Sequence, residues 1–198
     1  DLGFAWMTLP SGPEVSFVDV PGHDRFIKNM LAGVEAIDVA LFVVAADEGW
    51  MPQSEEHLAV LDLLEVERGV VALTKTDRVD RDLVELATLE IEEHLEGSSM
   101  AGAEILPVSA QIGDGIDSLV TALDRLVSAV ETPRTDRPRL WVDRSFSISG
   151  AGTIVTGTLL DGPLSVGDEM VIAPGDLKVR IRGLQSHEQD RTVGAAGS

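Results

Sequence analysis

Asp77 stands two residues after Lys75 in the string Thr74-Lys75-Thr76-Asp77, with Asp19-Val20-Pro21-Gly22-His23 upstream and Val108-Ser109-Ala110 downstream. Each string follows an apolar, β-branched run, so each is expected at the carboxyl end of a buried strand, where open α/β sheets bind ligands. These residue types suit a guanine nucleotide. Guanine presents two adjacent donors and one acceptor on its edge, which call for a carboxylate and an N–H group respectively. Asp77 supplies the carboxylate, Ser109 and Ala110 supply hydroxyl and backbone groups on the acceptor side, and the stem of Lys75 can lie over the base plane. Asp19 is suited to hold Mg2+ through water. Gly22 lets the backbone approach a terminal phosphate, and His23 can orient an attacking water.

Taken alone, Thr74-Lys75-Thr76-Asp77 is a weak signal that more often reads as a turn after a strand with an aspartate capping the next helix. The order and spacing of all three strings, with Asp-Val-Pro-Gly-His the most specific, favour the nucleotide reading. His57 and His94 fall on expected helices, and no histidine pair has metal-ligand spacing, so neither is given a role. The glycine-rich loop ending in Gly-Lys-Ser/Thr, which would cradle the β- and γ-phosphates, does not occur in the sequence. The chain also opens on a strand without a lead, and its first residue is expected to be a truncation point.

Positioning these groups requires an alternating α/β arrangement. Strands are expected at residues 1–8 and 15–20, joined through Pro10-Ser11-Gly12-Pro13 as a hairpin. A helix over 24–34 follows the first string. The continuous apolar run 39–46 reads as a central parallel strand covered on both faces. Further strands are expected at 70–73 and 105–108, and helices at about 52–64, 83–95 and 115–130. In the acidic helix 83–95, Leu86, Leu89, Ile91 and Leu95 are expected on the buried face. Alternation of this kind forces parallel pairing with crossover helices. Residues 1–132 thus form an α/β domain and 133–138 a charged, proline-bearing linker. Residues 139–198, rich in β-branched runs and Gly/Pro turns, form an all-β domain, expected to be a small barrel that lacks its closing strand.

Composition sets wide bounds. A hydrophobic fraction of 44% over 198 residues is enough to bury a core. No uncharged apolar run of about 18 residues occurs, and the first residues lack the pattern of a signal peptide, so no membrane association is expected. The absence of cysteine excludes disulfides and thiolate metal sites and suits a reducing, cytoplasmic setting. A net charge of -19 argues against a protein that coats nucleic acid with a basic face, although a local patch can still meet phosphate.

On these residues the chain resembles the translational GTPases over essentially its whole length. The stretch 19–34, with Phe26-Ile27-Lys28-Asn29-Met30-Leu31, is similar to the family's switch II strand and helix. The run Val43-Val44-Ala45-Ala46-Asp47-Glu48-Gly49 and the following Met51-Pro52-Gln53 and Glu56-His57-Leu58 continue the match. Residues 150–158 resemble the start of the second domain's barrel. The fold implied is a P-loop-GTPase-type three-layer parallel sheet, here without its phosphate loop and most of switch I, followed by part of an all-β barrel.

Thr74 in place of asparagine, the stretch 32–38, Val142-Asp143-Arg144-Ser145-Phe146 and Arg182-Gly183-Leu184-Gln185-Ser186-His187 are similar to the selenocysteine-specific branch of the family. That resemblance implies a monomeric cytoplasmic enzyme that binds and hydrolyses GTP with Mg2+. It further implies selenocysteyl-tRNA and the ribosome as partners, and a selenocysteine-insertion mRNA element met through a carboxyl-terminal part beyond this sequence. Asp143 and Arg144 match positions that hold the selenocysteyl end, where an arginine suits an anionic selenolate. A structural salt pair at a strand start is the alternative for these two. A further arginine of that pocket is expected just beyond Ser198. Glu55 departs from the arginine common in the family, which puts that helix's ribosomal contacts in question. The 198 residues alone are expected to bind GTP weakly or not at all. Other branches, resembling elongation factor Tu or the γ subunit of initiation factor 2, and a degenerate non-catalytic module remain the competing readings.

Overall fold

The computed structural model describes residues 3–19, 37–130, 137–150, 152–186 and 189–195. Its contacts divide the chain into two compact units. One holds residues 8–14 and 20–130; the other holds 2–7, 15–19 and 131–198. The expected helix over 24–34 and most of the expected linker lie outside the described residues.

The first unit is built on three parallel strands, β3 (Ala40–Ala45), β4 (Gly69–Thr74) and β5 (Glu104–Pro107), in the order β3-β4-β5. Val70, Val71, Ala72 and Leu73 of β4 are all buried, so this middle strand is covered on both faces, as its unbroken apolar run requires. Helix α1 (Pro52–Leu63) joins β3 to β4, α2 (Arg81–Leu95) joins β4 to β5, and α3 (Ile116–Ser128) follows β5. On one face Phe42, Val44, Val71 and Leu73 pack with Leu58 of α1 and Ala87, Ile91 and Leu95 of α2. Val70 and Ala72 alternate to the opposite face. α3 packs against the same strand β4 and buries Ala122 and Leu123.

Two expectations are corrected here. The apolar run predicts a central β3 covered on both faces. Among the described residues it is the edge of its sheet, and Val43 on its second face is 57% exposed. An apolar run signals burial but does not specify which strand lies alongside. In α2, Leu86 and Leu89 are 61% and 62% exposed, and the packed row is Ala87, Ile91 and Leu95, all buried, with the partly buried Val84. Spacings of three and four keep that row on one face, and the small Ala87 lets the helix approach the sheet.

The second unit is antiparallel. β1 (Gly3–Thr8) and β2 (Glu14–Asp19) form a two-stranded sheet; the tight turn that joins them, in which Leu9 N–H donates to the Pro13 carbonyl at 2.8 Å, is grouped with the first unit. β6 (Arg139–Ile148) pairs with β7 (Gly152–Leu160), with a register shift between Val142 and Arg144. β8 (Leu164–Ser165) pairs with β13 (Val193–Gly194), β9 (Glu169–Ile172) with β10 (Leu177–Arg180), and β11 (Leu184–Ser186) with β12 (Gln189–Arg191).

Candidate functional site

The parallel register sets Ala45 of β3 beside Thr74, the last residue of β4. Two further bonds tie the strand ends together: Ala46 N–H donates to the Thr74 carbonyl at 2.8 Å, and the Thr74 hydroxyl donates to the Val44 carbonyl at 3.2 Å. The chain then leaves the sheet through Lys75 in the left-handed region (φ 59°) and a single helical turn, Thr76–Arg78. A non-glycine residue in that region is uncommon and needs support from its surroundings. Lys75 Nζ meets Glu48 Oε1 at 2.9 Å and Asp47 Oδ1 at 3.3 Å, while Arg78 Nη1 meets Asp47 Oδ2 at 2.8 Å. The hydrogen bond to Glu48, followed by that to Asp47, raises the Lys75 pKa above its ordinary value and holds it charged.

The aspartate that caps the next helix is Asp80, whose side chain accepts from Leu83 N–H at 2.9 Å. The capping role that could have accounted for Asp77 therefore belongs to another residue. Asp77 Oδ1 instead accepts from the hydroxyl of Ser109 at 2.5 Å. Ser109 is 0% exposed and is held on three sides. Its N–H donates to the Asp114 carbonyl at 2.9 Å, its carbonyl accepts from Gly113 N–H at 2.9 Å, and its hydroxyl accepts from Ile112 N–H at 3.4 Å. Gly115 closes this loop at φ 72°, and a Cβ there would lie 2.1 Å from the Pro107 carbonyl oxygen. Thr76 N–H reaches the Val108 carbonyl at 3.4 Å, joining the two loops, and Ala110 follows Ser109 at the surface. The structure thus brings Thr74, Lys75, Asp77, Ser109 and Ala110 together at the carboxyl ends of β4 and β5, and presents a fixed carboxylate there.

Asp47, Glu48 and Arg78 are not singled out by sequence reasoning. The signal available is an acidic pair directly after β3, which parallel pairing sets level with the residues that follow β4. Asp19 ends β2 and is exposed; Gly22 and His23 lie outside the described residues. Arg144 lies opposite Thr156 in β6–β7, immediately after the register shift that spans Asp143. Among the described residues no group of three or more His, Asp or Glu side chains is arranged to hold a metal ion, and no helix is long and apolar enough to cross a membrane. A single carboxylate acting through water would not require such a group. A cavity of about 250 Å3 lies elsewhere, at the amino ends of β4 and β5, lined by residues including Arg68, Gly69, Met100 and Arg125. That end of a parallel sheet is not where this fold class binds ligands.

An α/β unit with a serine-braced aspartate at its strand ends has the layout of a guanine-nucleotide domain. Residues 6–129 match the family "Elongation factor Tu GTP binding domain", and the chain belongs to that family. It is similar to the selenocysteine-specific elongation factor of Desulfomicrobium baculatum, with 46% identity over 100% of this chain and 31% of that protein. Among solved structures, it is similar to a bacterial selenocysteine-specific elongation factor (TM-score 0.91, 35% identity, covering 100% of this chain and 34% of that one). It is likewise similar to translation elongation factor SelB from Methanococcus maripaludis in complex with the GTP analogue GPPNHP (TM-score 0.90, 30% identity, covering 100% of this chain and 44% of that one). The chain spans about one third of the length of such bacterial curated relatives.

Proposed function

We propose that this sequence carries the base-recognising part of a translational GTPase that delivers selenocysteyl-tRNA to the ribosome at recoded UGA codons. The observation that carries the reading is the Ser109–Asp77 bond at the ends of adjacent parallel strands. It fixes one carboxylate oxygen and so turns the group toward the two donors of a guanine edge, which adenine does not present in that arrangement. The backbone at Ala110 meets the acceptor, and the Lys75 stem lies over the base. Asp19 contributes to Mg2+ through water, Gly22 approaches the γ-phosphate, and His23 positions the attacking water. The bound Mg2+ would supply charge neutralisation at the phosphates.

In the second domain, residues 139–198, Asp143 and Arg144 hold the selenocysteyl end. The arginine favours an anionic selenolate over a neutral serine hydroxyl. The functional division proposed along the sequence is 1–132 and 139–198 about a linker at 133–138, although residues 2–7 and 15–19 group by their contacts with 131–198. The protein works as a cytoplasmic monomer and reaches a selenocysteine-insertion mRNA element through a part outside this sequence. Likeness to the selenocysteine-specific factors over the whole chain supports this branch over its neighbours.

The test is binding of selenocysteyl-tRNA and of seryl-tRNA on the same isoacceptor by the full-length protein that contains this sequence. Preference for the selenocysteyl form by at least about tenfold, which is roughly 1.4 kcal/mol, is expected. Equal affinity would end the selenocysteine assignment.

A further inference from the structure

Trp50 closes the loop that carries Asp47 and Glu48, and it is held more firmly than a surface tryptophan needs to be. Its ring stacks with Phe42 (centroids 5.6 Å apart, planes 16° apart) and with His94 (4.5 Å, 6°). Its indole N–H donates to Glu55 Oε2 at 3.0 Å, and the same oxygen lies 3.4 Å from His94 Nδ1. Its backbone N–H donates to Glu90 Oε2 at 3.3 Å. Three elements therefore grip the side chain, β3 through Phe42, α1 through Glu55 and α2 through His94, while Glu90 of α2 holds the Trp50 backbone.

At the other end of the same loop, Glu48 and Gly49 N–H both donate to the Ala45 carbonyl, at 3.1 and 2.9 Å. Gly49 adopts φ 68°, and a Cβ there would lie 3.0 Å from Glu90 Oε2. The loop is thus pinned at both ends, and between the pins Asp47 and Glu48 reach Lys75 and Arg78. The Asp47 side chain is only 18% exposed although it serves two cations, so its place depends on the course of the backbone on either side. Glu55 has a local role here, because its carboxylate accepts from the indole N–H and lies 3.4 Å from the imidazole of His94.

We propose that Trp50, clamped by Phe42, His94 and Glu55, is a positioning residue for guanine-nucleotide binding, acting through Asp47 on Lys75 without touching the nucleotide. The inference rests on the reading of Lys75 and Asp77 as base-recognising residues. Loosening the clamp frees the Asp47 loop, Lys75 loses the charges that hold its left-handed backbone and side chain, and the bound base is released faster.

The experiment is GDP dissociation from the full-length protein containing this sequence, followed with a methylanthraniloyl-labelled GDP in Mg2+. Trp50→Ala is expected to speed dissociation roughly tenfold, and Trp50→Phe, which keeps the stack, to stay within about threefold of the parent. In an Asp47→Asn background the Trp50→Ala effect is expected to fall below about threefold, because the route through Asp47 is already broken. Glu55→Ala alters an exposed side chain and keeps the test open if Trp50→Ala fails to fold; it is expected to speed dissociation about threefold. Dissociation within twofold of the parent for Trp50→Ala and Glu55→Ala, or an undiminished effect in the Asp47→Asn background, would overturn the proposal. Asp77→Asn serves as the separate control: if it leaves guanine preference intact, the base-recognition reading fails whatever the Trp50 variants do.

Discussion

Asp77 is exposed, yet one of its oxygens is fixed by a hydroxyl that water does not reach, and that contrast carries the chemistry of the site. A carboxylate free to rotate would have to be ordered by each incoming base; Ser109 does that in advance. Replacing Ser109 with Ala removes the donor, and GDP affinity in the full-length protein is expected to fall about tenfold, with a stability loss of about 1 kcal/mol. Isothermal titration and a urea melt check the two effects separately. Lys75 offers a pH test. Its folded-state pKa is raised by Glu48 and then Asp47, so its stabilisation is complete below the ordinary lysine value of 10.5 and is lost as pH rises through the higher folded value. The difference in melting temperature between the parent and Lys75→Met should therefore be constant near neutrality and close only above pH 10.5. Thr74, Lys75, Asp77 and Ser109 were legible because their strings have specific form and spacing. Asp47, Glu48 and Arg78 were not, because ion pairs between neighbouring strand ends appear only once the register is known.

Elements place these groups through a few positions that tolerate little change. Gly115 must adopt positive φ with its α-carbon against the Pro107 carbonyl, where a Cβ would overlap at 2.1 Å. Gly115→Ala is expected to cost at least about 2 kcal/mol in denaturant unfolding and to misplace the Ser109 loop. In α2 the face read from leucine content differed from the face that packs. Hydrophobicity alone weighted Leu86 and Leu89, whereas close approach to the sheet selected the row through Val84, Ala87, Ile91 and Leu95. Ile91→Ala should accordingly lose about 2–4 kcal/mol, while Leu86→Gln should stay within about 0.5 kcal/mol. Urea unfolding of the two variants compares them directly, and a larger loss for Leu86→Gln would contradict the packing described. Strand and helix positions were legible from periodicity; the face and the neighbour of each element depend on contacts between distant segments, which periodicity does not encode.

At the scale of the whole molecule, sequence and structure describe the base side of a nucleotide site more fully than its phosphate side. No Gly-Lys-Ser/Thr loop occurs in the 198 residues, and backbone donors of that loop supply the main hold on β- and γ-phosphates in this class of site. The 198-residue chain is expected to bind GDP at least about a hundredfold more weakly than the full-length protein, as measured by equilibrium titration of both. Family membership was legible from three strings in order, which no single one of them could establish. Base selection is proposed to rest on Asp77. The most direct test is the competition of guanine and xanthine nucleotides for the full-length protein and its Asp77→Asn variant. Xanthine carries an oxygen where guanine carries its exocyclic amine, so an amide at position 77 should suit it better. The variant is expected to lose affinity for GDP and gain it for XDP, reversing the preference of the parent; an unchanged preference for GDP would remove Asp77 from base recognition.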